Sequence, residues 1–409
     1  MSRSILLLIA IFLSQKTFSA EPPFQIELTT ARQGFEGEMC WVHARAGAIP
    51  PNDPSKDPLV VMTLQKLQLS GSDVFYALNE MRTPDLGKTW TSPQQHENFA
   101  RVPFSFDGKD DLEITVCDFW PRWHAQSGKL LGTGHTVVYE NNRVMHKRPR
   151  ATPYSIYDPE THSWSAWKTI ELPKEAKFRN AGAGCVQRYD LPNGDILLPI
   201  YFAPIGDKRY STTVLRCRFD GTTLSYINHS NELTVPVKRG LYEPSITRFR
   251  DKLYLTMRND EHGYISVANL EDENLSFSAP KKWTFDDGAD LGNYNTQQHW
   301  VMHPDHGLFL VYTRRGADND HVFRHRAPLF IAKVDPEKLM VIRSTEQILV
   351  PEKGARMGNF GVTEVTPNET WVTVTEWMQA PAPNHHDPAP LVARGADNRV
   401  WVAKLKWTK

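Results

Sequence analysis

One apolar strand pattern recurs along most of this 409-residue chain, and that recurrence restricts the fold more than any single motif. Its six copies are Pro58-Leu-Val-Val-Met-Thr-Leu, Lys129-Leu-Leu-Gly-Thr-Gly-His135, Asp195-Ile-Leu-Leu-Pro-Ile-Tyr201, Lys252-Leu-Tyr-Leu-Thr-Met-Arg258, Leu308-Phe-Leu-Val-Tyr-Thr-Arg314 and Thr370-Trp-Val-Thr-Val-Thr-Glu376. Successive copies lie about 55 to 70 residues apart, the length of one four-stranded antiparallel blade with generous loops. Each is followed by a second strand and a turn, as in residues 154–157 before Asp158-Pro-Glu-Thr-His-Ser-Trp164. Such a unit cannot bury its apolar face alone, so the copies must pack face to face, and closing them into a ring removes free sheet edges. The expected fold is an all-β propeller with six blades, seven being the alternative because the pattern blurs over residues 91–180. A β-sandwich would give shorter, more even spacing, and a parallel β-helix repeats about half as long.

Composition agrees: Trp 12, Tyr 13 and Phe 19 accompany Gly 24 and Pro 29, a mixture suited to many short strands joined by tight turns. Basic and acidic residues balance at 47 each, so no overall field attracts nucleic acid or a membrane surface, and selectivity for a charged ligand must be local. Residues 1–20 carry Arg3, an apolar run from Ile5 to Leu13 and the small residues Ser19 and Ala20, the order of a cleaved signal peptide. The run is too short for a membrane span. The expectation is a secreted or periplasmic protein whose residues 21–409 form a single propeller domain. Four cysteines, Cys40, Cys117, Cys185 and Cys217, suit disulfides in an exported chain but are too few to hold a scaffold, and their spacing decides no pairing.

The turn Thr83-Pro-Asp85-Leu-Gly87-Lys-Thr89-Trp90 resembles the Asp-box of sialidase-type propellers, where the Asp caps turn donors, the Gly takes positive φ and the Trp plugs the blade edge. Further stretches are similar to that family. Arg45-Ala-Gly-Ala-Ile49 stands where it has its first arginine, Asp73 where it has its acid/base, Tyr242-Glu243-Pro-Ser245 with Arg258 where it has a Glu-Pro-Ser segment and second arginine, and Arg314, beside Arg315, where it has the third. The resemblance implies glycoside hydrolysis of an acidic sugar. One departure matters: Phe360, in Met357-Gly-Asn-Phe-Gly-Val-Thr-Glu364, stands in the place of the family's nucleophilic tyrosine, and no tyrosine follows Tyr312.

Aligning the repeats brings Gln65 or Lys66, His135, Tyr201, Arg258, Arg314 and Glu376 to equivalent strand ends, which converge on a propeller axis. Arginine holds a carboxylate or sulfate through two parallel hydrogen bonds, so Arg45, Arg258 and Arg314 are the expected clamp, with Arg315 and His299 as further binding residues. Hydrolysis needs two carboxyl groups, about 5 Å apart for retention or about 6.5–9.5 Å for inversion, and Asp73, Glu243 and Glu376 are the candidates. His135 and Tyr201 open another route, proton abstraction beside a uronate carboxylate, which would make the protein a polysaccharide lyase. Tyr201 with Arg216 or Arg218 loosely resembles the arrangement in propeller ulvan lyases, and a rhamnosidase family places a histidine at the centre of a similar ring. A noncatalytic glycan-binding propeller is the third possibility. His321 with His325 and Asn384-His-His-Asp387 lack an organised ligand spacing, so neither a metal nor another cofactor is expected. Residues 379–398 are Pro-rich and polar and read as a loop inserted in the last blade.

Overall fold

The computed structural model describes residues 21–70 and 73–408, so the expected signal peptide lies outside the described residues. The strands form six antiparallel sheets, each with a four-stranded core. Consecutive sheets bury an apolar layer between them because their strands carry apolar residues on both faces. Val61 and Leu78 of the first meet Val116 and Phe119 of the second, and Leu197 and Val214 of the third meet Leu253 and Leu255 of the fourth. Val311 and Ile331 of the fifth meet Val372 and Val374 of the sixth.

The ring closes by sharing: Phe24–Arg32 pairs antiparallel with Val400–Trp407, so the N-terminal strand becomes the outermost strand of the sixth sheet. Phe24 seals this closure edge-on against Phe309 and Trp407, a burial worth about 2–3 kcal/mol.

Five regular blades result, against the six or seven expected. In five sheets the innermost strand runs at least five residues without a break. The third sheet's is reduced to two short pieces, Ala181–Gly182 and Tyr189–Asp190. The second sheet crowds this segment. A Cβ on Gly184 would sit 2.3 Å from the His135 ring, and one on Gly182 would sit 2.6 Å from both His135 and Arg150, so only glycine fits there.

At the rim, the turn Thr83–Trp90 closes on itself. Asp85 accepts from the Thr89 backbone N–H (3.0 Å) and hydroxyl (2.6 Å), Gly87 takes φ 79°, and Trp90 packs on Trp371 of the sixth sheet. The four cysteines are buried free thiols, so the disulfides an exported chain would allow do not form. No helix among the described residues is long and apolar enough to cross a membrane.

Candidate active site

The innermost strands share a device that repeats around the axis. Each passes through, is interrupted by or is preceded by one non-glycine residue in the left-handed region: His43, Asp118, Cys185, Glu243, Asn295 and Asn359, with φ between 46° and 60°. In three sheets this residue sits in a β-bulge, between Val42 and Arg45, Cys117 and Trp120, and Tyr242 and Ser245. Such a conformation is unfavourable for a residue with a Cβ, by about 1–3 kcal/mol, and a bulge re-aims the side chain it carries. Here it turns six polar side chains toward the axis, where they meet. Asp118 Oδ1 accepts from Cys185 Sγ (2.7 Å) and lies 3.1 Å from His43 Nε2, while Arg258 donates to Glu243 (2.6 Å) and to Asn295 Oδ1 (2.9 Å).

Above this ring opens a cavity of about 680 Å³ lined by Asp73, Asp118, His135, Tyr201, Tyr210, Tyr242, Glu243 and Asn359, by seven arginines (148, 150, 239, 258, 324, 326 and 356) and by His385 and His386. A larger cavity of about 840 Å³, around Trp120, Trp123, His303 and Trp407, is more apolar and contains none of these groups.

Within the polar cavity three side chains form a line. The Tyr201 hydroxyl is 2.9 Å from His135 Nδ1, and His135 Nε2 is 3.4 Å from Asp118 Oδ2. A carboxylate only accepts, so it places the imidazole proton on Nε2 and leaves Nδ1 to accept the tyrosine proton. Burial, reinforced by Arg150, pushes His135 down to about 3 against the pull of Asp118, so the ring is neutral. Burial also raises the Tyr201 phenol well above its ordinary value, while the Arg150 guanidinium, 4.7 Å over the ring, pulls the other way. For Asp118 burial alone would raise the carboxyl, but His43, Arg45 and His135 hold it well below the usual range. The line connects the Tyr201 hydroxyl through a neutral imidazole to a carboxylate, a hydrogen-bonded arrangement of the kind acid–base chemistry uses.

Of the ten residues expected at the site, Asp73, His135, Tyr201, Glu243 and Arg258 line this cavity. The other five do not. Arg45 is fully buried beneath it, where its guanidinium meets Cys185 Sγ (3.0 Å), Asp118 Oδ1 (3.4 Å) and the Phe360 carbonyl (3.4 Å). Phe360 is itself buried, edge-on to His299, and His299 is enclosed by Trp120 and bonded to Ser245 Oγ (2.7 Å). Arg314 forks onto Glu346 at 2.7 and 2.8 Å, and Arg315 pairs with Asp290 on the surface. Glu376 accepts from the backbone N–H groups of Asp397 and Arg399 and from Trp401 Nε1, fixing the last loop. Arg216 and Arg218 turn to Asp195 instead of Tyr201.

The sequence reading missed Asp118, Arg148, Arg150 and Arg356. The basic run His146-Lys-Arg-Pro-Arg150 was the available signal for two of them. The inserted loop contributes His385 and His386 to the cavity wall.

No protein-family model matches the chain, and no curated protein matches it significantly. Solved structures do. A Dyadobacter fermentans protein of unknown function superposes with a TM-score of 0.59 at 14% identity, covering 95% of this chain and 100% of that one. The NanB sialidase of Streptococcus pneumoniae gives 0.56 at 11% identity over 94% of this chain and 71% of its own. Trypanosoma rangeli sialidase gives 0.55 at 12% identity over 94% of this chain, which spans 59% of that enzyme. At such identities the likeness speaks for architecture, and in architecture this chain is a sialidase-like β-propeller.

Proposed function

We propose that this propeller is a carbohydrate-active enzyme that cleaves a uronate-containing glycan by β-elimination. The single observation that carries the reading is the Asp118–His135–Tyr201 line opening into an arginine-lined cavity. Tyr201 takes the proton next to the sugar carboxylate while its own hydroxyl proton moves to His135 Nδ1, and Asp118 stabilises the imidazolium. The electron pair of the broken C–H bond forms the carbon–carbon double bond, the glycosidic C–O bond breaks toward the leaving oxygen, and the proton held on His135 returns through Tyr201 to that oxygen. Arg150, beside Tyr201, neutralises the substrate carboxylate so that negative charge can build on it.

Sialidase-like hydrolysis is the second reading, favoured by Asp73 and Glu243 lining the same cavity. It lacks the family's tyrosine, since Phe360 is buried below the floor. We also take residues 1–20 to direct export and residues 21–409 to act as one domain.

The two routes separate on their products. With uronate polysaccharides and sialylated glycans as substrates, elimination yields ultraviolet absorbance of an unsaturated sugar together with new chain ends, and His135→Ala abolishes both. New reducing ends without absorbance, stopped by Asp73→Asn, would replace elimination with hydrolysis. Silence on both channels with binding retained would leave a glycan-binding propeller.

A further inference from the structure

The cavity holds more positive charge than one sugar carboxylate can neutralise. Seven arginines face three carboxylates. Two of the seven are matched, Arg258 by Glu243 (2.6 Å) and Arg239 by Asp260 (2.6 Å). Arg148, Arg150, Arg324, Arg326 and Arg356 form no ion pair among the described residues. Arg150, Arg326 and Arg356 are moreover at most 7% exposed. A buried cation without a counter-ion is costly, so an arrangement of several is explained by anions that arrive with the ligand.

The unpaired arginines fall into two groups set by the ring. Arg148 and Arg150 lie within the second sheet, on the loop between its strands Lys129–Glu140 and Pro153–Asp158, and Arg150 bridges to Asn180 beside the third sheet. Arg150 stacks over Tyr201 and Tyr210, and its Nε and Nη1 have no hydrogen-bond partner. Arg324 and Arg326 lie on the loop of the fifth sheet and Arg356 begins the sixth. Arg356 stacks over Trp377 with its Nε unpartnered, and Arg326 donates to the Asn295 carbonyl. In a ring of six sheets the second and fifth are three apart, which puts Arg324 and Arg326 on the wall opposite Arg148 and Arg150, with Arg356 on the sheet next to the fifth.

We infer that the cavity has two separate anion cradles and takes a glycan bearing at least two anionic groups, a uronate carboxylate at Arg148 and Arg150 and a second group, a sulfate ester or neighbouring carboxylate, at Arg324, Arg326 and Arg356. This rests on the acidic-glycan reading above but not on the elimination chemistry. A ligand with one carboxylate fills one cradle and leaves the other bare. A second recess of about 280 Å³, sharing Arg148, Arg150, Tyr210 and Arg239 and adding His146 and Lys208, lets a longer chain continue past the first cradle.

Selenate, a sulfate surrogate with an anomalous signal, tests this on crystals of the full chain. Two anomalous peaks are expected, one within hydrogen-bond distance of Arg150 and one of Arg326 or Arg356, and Arg150→Gln and Arg356→Gln should each erase only its own. One peak, none, or two on the same wall would overturn the inference. Arg→Lys variants at both positions, which keep the charge, serve if the glutamine variants misfold, and should weaken each peak without removing it. Elimination on polyuronate with a single selenate peak would sink the two-cradle inference and spare the proposed reaction. Two peaks without turnover on any glycan would do the opposite.

Discussion

The Arg314 corner and the Arg150 wall are built from the same residue type and end in opposite states. At the corner the guanidinium forks onto Glu346, donates to the Gly316 carbonyl and stacks on Phe330, so its donors are engaged. At the wall, Arg150 is more deeply buried yet has no carboxylate and two nitrogens without a partner. A polar network that closes on itself holds a fold, as Asp85 does at the rim turn, where its bonds to Thr89 draw its pKa down to about 2. One that leaves buried donors without partners beside a cavity is completed by something else.

The largest effect that could break this contrast concerns Tyr201. Tyr201→Phe should reduce turnover by roughly 10²–10⁴-fold while glycan affinity stays nearly constant, because the ring and its stacking survive and only the proton-transferring atom goes. An equal loss of affinity, read by calorimetry, would move Tyr201 from proton transfer to binding. Next, Arg150→Gln should weaken ligand binding at least tenfold with little change in thermal stability, since Arg150 forms no ion pair with a carboxylate. Arg314→Gln should do the reverse, costing about 1 kcal/mol of stability after solvent screening and leaving affinity alone. If both variants lose stability equally, the two regions do not differ in kind.

A smaller effect sharpens the account of the broken strand. Gly184→Ala places a methyl against the His135 ring and should cost about 1–3 kcal/mol while lowering kcat more than it changes KM. An unaffected kcat would show that the ring's position is not critical.

The pH dependence follows from His43 and His135, held neutral by burial at about 4 and about 3, and from His299, driven well below its ordinary value by burial. Each has a folded pKa below its unfolded value of about 6.5, so the unfolded chain binds more protons on acidification. Their stabilising contribution is complete above about pH 6.5 and is lost as pH falls toward 4 and then 3, by up to ~1.4 kcal/mol per pH unit per histidine. Urea melts from pH 7 to 4 would read this slope, and His299→Gln should flatten it. A flat profile in the parent protein would contradict the assignment of neutral buried imidazoles.

The fold was legible because a propeller repeats its strands. The six copied segments begin or run through the second strand of each sheet, and the repeat register carried His135, Tyr201 and Arg258 correctly to the cavity. The register failed where a strand stops early. Gly307–Tyr312 ends before Arg314, and the chain there swings outward to Glu346. Glu376 stays in its strand, but its carboxylate is taken by backbone donors of the following loop. Asp118 was hidden because a left-handed bulge inside Lys109–His124 re-aims it, a conformation that no residue type at that position announces. Arg150 lies between strands, where strand periodicity carries no information. The blade count came out lower, and the third sheet's inner strand is in two pieces of two residues each.

The central claim, proton transfer by Tyr201 through His135 on an acidic glycan, is tested most directly by following ultraviolet absorbance and chain ends together as the protein and its Tyr201→Phe variant act on a polyuronate. Absorbance that rises in step with new ends for the parent protein, and for the variant not at all, is the predicted result. New reducing ends without absorbance, or a variant as active as its parent, would contradict it.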